Sequence, residues 1–258
     1  MWHAFQMSEE TLSHRMAAAA RELQDQADPQ ETLETAVRLA VSDVDGADSA
    51  AVSIGHVKGQ IETPASVGEM AVRGDQLQYE TGEGPCLEAI WEEHTVYSPD
   101  LAVDPRWPAW GARTAEETGA RSILSFQLFT QDRSVGALNL YSKRLDGFDA
   151  ADREEGLALA AHIAVALASA RKLQTLGLAL DTRTLIGQAV GMVMERYSLK
   201  GPEAFALLSR LSQASNVKVR VLASEIVETG GTHGLGTDHP VPDELDVRAT
   251  SENPRRHD

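Results

Sequence analysis

One thiol, Cys86, is the strongest nucleophile in a chain of 258 residues, and it sits in the stretch Gly82-Glu-Gly-Pro-Cys86. Gly82 and Gly84 can aim backbone N–H groups inward, and Pro85 can start a helix. A helix start attracts anions and lowers the pKa of a thiol placed on it. Cys86 is therefore a candidate redox-sensing thiol, set against the plain alternative of a small apolar side chain packed in a helix. Tyr79, Trp91 and Trp107 are candidate lining for a sensor pocket beside it, and serve equally as core or loop anchors. The stretch has neither the lysine nor the spacing of a phosphate-binding loop. His56, His94 and His162 are scattered without metal-ligand spacing. A lone cysteine excludes a disulfide framework and a multi-cysteine zinc site. There is no Gly-x-Ser-x-Gly elbow and no His-Glu-x-x-His, so nothing positive supports an enzyme.

A second kind of chemistry is suggested between Thr182 and Thr229. Six basic side chains (Arg183, Arg196, Lys200, Arg210, Lys218, Arg220) face four acidic ones (Glu195, Glu203, Glu225, Glu228), in a chain whose formal charge is −16. A net-basic module on an acidic body favours shape-dependent contact with a nucleic acid over general polyanion coating. The module reads as three short helices. Ile186, Ala189, Val193 and Tyr197 form one apolar face; Ala204, Phe205, Leu208 and Leu211 the next; Val219, Leu222, Ala223 and Ile226 the third. Pro202 opens the second helix and Asn216 is the expected N-cap of the third. Val217–Val221 alternates like a strand, but the longer 3- and 4-residue spacing decides for helix. Gly187 and Gly191 sit mid-helix, where each costs about 1 kcal/mol relative to alanine. They permit close approach by another backbone or by a nucleotide.

Arg183-x-x-Ile-Gly-Gln-Ala-x-Gly-x-x-Met-Glu-Arg196, followed by Glu203-Ala-Phe205, Leu208, Leu211-Ser-Gln213, Asn216 and Ala223, resembles the ANTAR domain, a three-helix RNA-binding module of bacterial antitermination regulators. Val190 stands where many members carry a lysine. The resemblance implies binding to RNA hairpins of a nascent transcript. It assigns contacts to Arg183, Gln188 and Arg196, phosphate or loop-edge contacts to Lys218 and Arg220, and close approach to Gly187 and Gly191. Two other readings stand beside it. One is a helix-turn-helix on duplex DNA, although the third helix offers few base-reading side chains beyond Lys218 and Arg220. The other is a sensor acting through protein contact.

A hydrophobic fraction of 42% is that of a soluble globular protein, and the length allows one large or two modest domains. No apolar run approaches the roughly 18–20 residues of a bilayer span. The N-terminus has no basic region followed by an apolar one. The expectation is a cytoplasmic protein without a membrane partner.

Ser8 before Glu9-Glu10 predicts a helix N-terminus, and a second helix is predicted from Pro29 to Val44, ended by Asp45-Gly46. Ala50–Val57 alternates as a half-buried strand and turns at Lys58-Gly59 into a second strand near Gln60–Val67. Arg121–Phe129 and Val135–Tyr141 form another hairpin across Gln131-Asp132. Hairpins with helices in separate blocks make an α+β domain with an antiparallel sheet. The sequences GEGPCLEA, DPRWPAW, GARSILSFQLF, VGALNLYS and GFDAAD resemble GAF domains found before ANTAR modules in actinobacterial regulators, over about residues 32–168. The resemblance implies a sensing domain for an unknown small-molecule or redox signal. Only Phe148-Asp149 matches the signature of cyclic-nucleotide-binding members, so no cofactor or ligand class follows.

Leu159, Ala166, Leu173 and Leu180 recur every seven residues, with Ile163, Ala170 and Gly177 between them. This predicts a helix from Asp149 into the output module, its first half capping the sheet and the remainder a weak parallel dimer seam. The expected organisation is an N-terminal helix (1–28), a GAF sensor (29–168), a helical or coiled-coil linker (169–181), an ANTAR module (182–229) and a disordered tail (230–258), in a homodimeric regulator of transcription antitermination.

Overall fold

A computed structural model describes residues 2–55, 60–91, 95–130 and 133–230, with backbone alone at 2–11, 91 and 133–135. The expected turn at Lys58-Gly59, the Gln131-Asp132 loop, His56, His94 and the tail beyond Gly230 lie outside the described residues. The chain divides into two compact units, 1–175 and 176–258.

In the first unit, α1 (Trp2–Gln24) begins six residues before Ser8, which therefore lies inside the helix and is not its cap. No glycine or proline interrupts residues 2–7, so nothing local stops the helix there. The helix α2 (Pro29–Asp43) is capped as its sequence demands. The Asp28 carboxylate accepts from the Gln30 N–H at 2.7 Å, and Pro29 takes the first helical position.

Five antiparallel strands follow: β1 (Ser49–Gly55), β2 (Ile61–Val67), β3 (Thr95–Ser98), β4 (Ser122–Thr130) and β5 (Arg133–Ser142), in the order β2-β1-β5-β4-β3. Between them lie α3 (Glu69–Thr81), α4 (Pro85–Trp91) and α5 (Pro108–Thr118). The strand alternation is real, but both faces of the sheet are covered. Ala50, Val52, Ile54, Phe126, Leu138 and Leu140 pack toward Leu33, Val37, Leu159 and Ile163. Ala51, Ile123, Ala137 and Tyr141 face Leu77, Cys86, Ile90 and Trp110. Hence β1 is buried along nearly its whole length, where the sequence alone reads as half-buried.

The helix α6 (Ala150–Tyr197) runs 48 residues. By length and composition it suffices to cross a membrane, with a mean hydropathy of 1.3 over an 18-residue window, contrary to the expectation that no run comes near. Its alanine-rich first half buries Leu159, Ile163 and Leu167 in the core over the sheet. Three of the seam positions, Leu159, Ile163 and Ala170, are thus occupied within their own unit, whereas Leu173 and Leu180 are exposed.

The second unit closes the end of α6 against α7 (Gly201–Ser215) and α8 (Val219–Thr229). Ala189, Val193, Ala204, Leu208, Ala223 and Ile226 form its core. Tyr197 and Phe205, expected on the apolar stripes, are instead 45% and 49% exposed. Asn216 does not start α8. It ends α7 in the left-handed conformation (φ 55°) with its N–H on the Ser212 carbonyl, and Lys218 holds the N-cap position. Asparagine tolerates that conformation better than most side chains, which suits it to either end of a helix.

Candidate functional site

The interior between the sheet and α3 is polar at its centre. Asp75, Gln78, Ser53, Asn139 and Tyr141 all have no exposed surface. Asp75 sits one turn before Gln78 and Tyr79 on α3, so the three share a face. Ser53 on β1 and Asn139 and Tyr141 on β5 point to the same side because strand residues two apart do so.

The Asp75 carboxylate collects donors from every side. Oδ1 accepts from Tyr141 OH at 2.7 Å, Asn139 Nδ2 at 3.1 Å and Gln78 Nε2 at 3.2 Å. Oδ2 accepts from Ser53 Oγ at 2.8 Å and from Thr63 Oγ1 and Asn139 Nδ2 at 3.1 Å. All five donors are neutral. Burial raises the Asp75 pKa, and the hydrogen bonds from Tyr141, Ser53, Asn139 and Thr63 oppose it. Tyr141 is raised well above its ordinary value by burial and by the neighbouring Asp75 charge.

Of the candidate pocket residues, Tyr79 joins this network, its hydroxyl 2.9 Å from Ser53 Oγ and 2.8 Å from Thr63 Oγ1. Cys86 is fully buried beside it, and its N–H donates to Gln78 Oε1 at 2.8 Å. Burial, then the Asp75 charge, push the Cys86 thiol up to about 12, the opposite of the lowering expected of a helix start. Desolvation of the thiolate outweighs the first turn of a seven-residue helix. Trp107 is a core residue, its ring edge-on to Trp110 at 5.9 Å and covered by the Arg106 guanidinium at 4.1 Å. The Trp91 side chain lies outside the described set. No cluster of three metal-ligating side chains occurs among the described residues.

Asp75, Ser53, Gln78, Asn139 and Tyr141 escape the sequence reading. The available signal was modest: Asn139 and Tyr141 occupy one alternation phase of Val135–Ser142, and Ser53 one phase of Ser49–Gly55.

In the second unit the candidate RNA-contacting residues separate. Gln188, Gly191 and Arg196 line one groove along α6, with Ile226, Val227 and Gly230 opposite. Arg183 lines another, beside Phe205. Lys218 and Arg220 are exposed at the start of α8 and line neither of these grooves. Among the described residues, a Cβ placed on Gly187 or Gly191 would meet no atom within 4 Å, so neither glycine serves a close helix contact there.

A family model of the GAF domain matches residues 26–168, and one of the ANTAR domain matches 174–227. The chain belongs to the GAF-domain family and carries an ANTAR domain behind it. It is a signal-sensing regulator of the ANTAR type, built from regulatory rather than catalytic domains. No curated protein matches it significantly. Among solved structures it is similar to the GAF domain of a phosphoenolpyruvate-protein phosphotransferase from Coxiella burnetii, at 18% identity and a TM-score of 0.51, covering 64% of this chain and 96% of that one. A putative GAF sensor protein from Burkholderia vietnamiensis is similar at 17% identity and 0.51, covering 64% and 98%. The phytochrome photosensory core module of Stigmatella aurantiaca is similar at 12% identity and 0.53, covering 78% of this chain and 44% of that one. At such identities the likeness bears on fold alone.

Proposed function

We propose that this regulator binds hairpins in nascent transcripts through the segment 182–229 and promotes antitermination under control of the sensor at 29–168. The observation that carries this reading is the groove of Gln188, Gly191 and Arg196 in a net-basic module of an otherwise acidic chain. An amide, a guanidinium and an uncovered glycine backbone on one helix suit the bases and backbone of a structured RNA loop. Arg183, Lys218 and Arg220 supply phosphate contacts around it, and Gly187 leaves room. The protein works in the cytoplasm as a homodimer, with residues 169–181 linking sensor and output. The buried, protonated Cys86 favours a small-molecule signal over thiol oxidation.

The test is binding of the purified full chain to a transcript with two adjacent short-looped hairpins, with scrambled RNA and duplex DNA as competitors. Hairpin-selective binding supports the proposal, and preference for duplex DNA would replace it with the helix-turn-helix reading. The exposed Leu173, Leu176 and Leu180 favour a second reading, output through a protein contact. Absence of RNA binding with a stoichiometric protein partner would select it.

A further inference from the structure

Phe205 belongs in the core by sequence and is not there. Ala204 and Leu208 of the same helix are buried, while Phe205 stands 49% exposed over a groove formed with Leu178, Ala179, Thr182, Arg183 and Ile186. Leaving half a phenyl ring in water forgoes part of the roughly 1.5–3 kcal/mol of its full burial.

The groove is shallow and mixed in character. Leu178, Ala179 and Ile186 give it apolar surface, Leu178 being exposed, Thr182 brings a hydroxyl, and Arg183 is exposed with no ion pair among the described residues. A flat aromatic face beside a guanidinium fits a ligand that is planar on one side and anionic on the other. An unpaired nucleobase with its phosphate has that form, and base–aromatic stacking is the usual means of holding one.

A second copy of the chain is the competing occupant, and the helix geometry argues against it. At about 100° per residue, Leu178 lies roughly 160° around α6 from both Leu176 and Leu180. A partner helix seated on Leu176 and Leu180 would leave the Phe205 groove open. Two chains of formal charge −16 also repel one another, whereas Arg183 in the groove attracts a phosphate.

We infer that Phe205 is a stacking platform for one unpaired base of the bound RNA loop, with Arg183 on the adjoining phosphate. This rests on the RNA-binding reading above and extends it from Arg183, already given a phosphate contact there, to Phe205 beside it.

The experiment uses the full chain, the two-hairpin transcript and a set of Phe205 variants. The loop carries 2-aminopurine at each position in turn. Phe205→Leu keeps an apolar side chain without a π face, and Phe205→Trp keeps the π face. The expected result is that Leu lowers affinity about 10- to 100-fold, that Trp retains it, and that one 2-aminopurine position quenches with the native protein and Phe205→Trp but not with Phe205→Leu. Molar mass by light scattering stays unchanged in all. Equal RNA affinity of native protein and Phe205→Leu overturns the inference and leaves the RNA-binding reading intact. A fall in molar mass with Phe205→Leu overturns it in favour of a protein contact. No binding of the native protein to the hairpins overturns both.

Discussion

Tyr141 on β5 donates its phenolic hydroxyl to Asp75 on α3 at 2.7 Å, joining residues 66 apart in sequence at a point with no solvent exposure. A hydrogen bond to a charged acceptor is worth about 1.5–3 kcal/mol when buried. Tyr141→Phe should therefore lower the unfolding free energy of the full chain by about that amount. Urea unfolding followed by near-ultraviolet circular dichroism reads it, and an unchanged midpoint would mean that the carboxylate is held well enough without the phenol.

The same site predicts a pH dependence. Burial raises the folded-state pKa of Asp75 above its ordinary 3.8, so the folded protein holds the proton more tightly than the unfolded chain does. Stability from this group is complete below about 3.8 and is lost as pH rises through the higher folded value. Tyr79, Tyr141 and Cys86, which face it, are all raised away from this window. The native protein should thus gain stability relative to Asp75→Asn as pH falls from 7. A difference between the two that is flat with pH would show that Asp75 titrates normally.

Cys86 should behave as a core residue. Burial pushes its thiol up to about 12 and no solvent reaches it, so little thiolate forms at pH 8. Ellman's reagent should react with the native protein orders of magnitude more slowly than with the urea-unfolded chain. Rapid native labelling would reinstate the redox-sensing thiol.

Two glycines on one helix should respond oppositely. A Cβ on Gly187 would meet no atom within 4 Å, so Gly187→Ala should stabilise the second unit by about 1 kcal/mol. A Cβ on Gly156 would run into the buried Phe126 ring, and Gly156→Ala should destabilise the first unit by about 1–3 kcal/mol. Thermal unfolding monitored by hydrogen exchange in each unit separates the two. If Gly187→Ala also weakens hairpin binding, the glycine is kept for ligand approach.

The elements with strong periodicity were legible before the structure. The alternation in β1, β4 and β5 and the 3- and 4-residue spacing in α2 and α8 lie close to the observed spans. Short pieces were not, such as the four-residue β3 and the helix α5 after Pro108, because few residues carry their signal. Asp75 was invisible for a different reason. A carboxylate on a helix reads as a solvated face, and only the tertiary meeting of α3 with β1, β2 and β5 supplies four of the five donors that let it be buried, Gln78 of α3 being the fifth. Phe205 failed in the opposite direction, since apolar spacing places it inward while α7 turns only Ala204 and Leu208 to the core.

The central claim is tested most directly by the affinity of the full chain for the two-hairpin transcript across a salt series, native against Arg183→Ala. The account predicts hairpin-selective binding that weakens linearly in log–log form with salt, with the slope reduced by about 1 in the variant. Equal affinity for hairpin and scrambled RNA, or a slope that Arg183→Ala leaves unchanged, would contradict it.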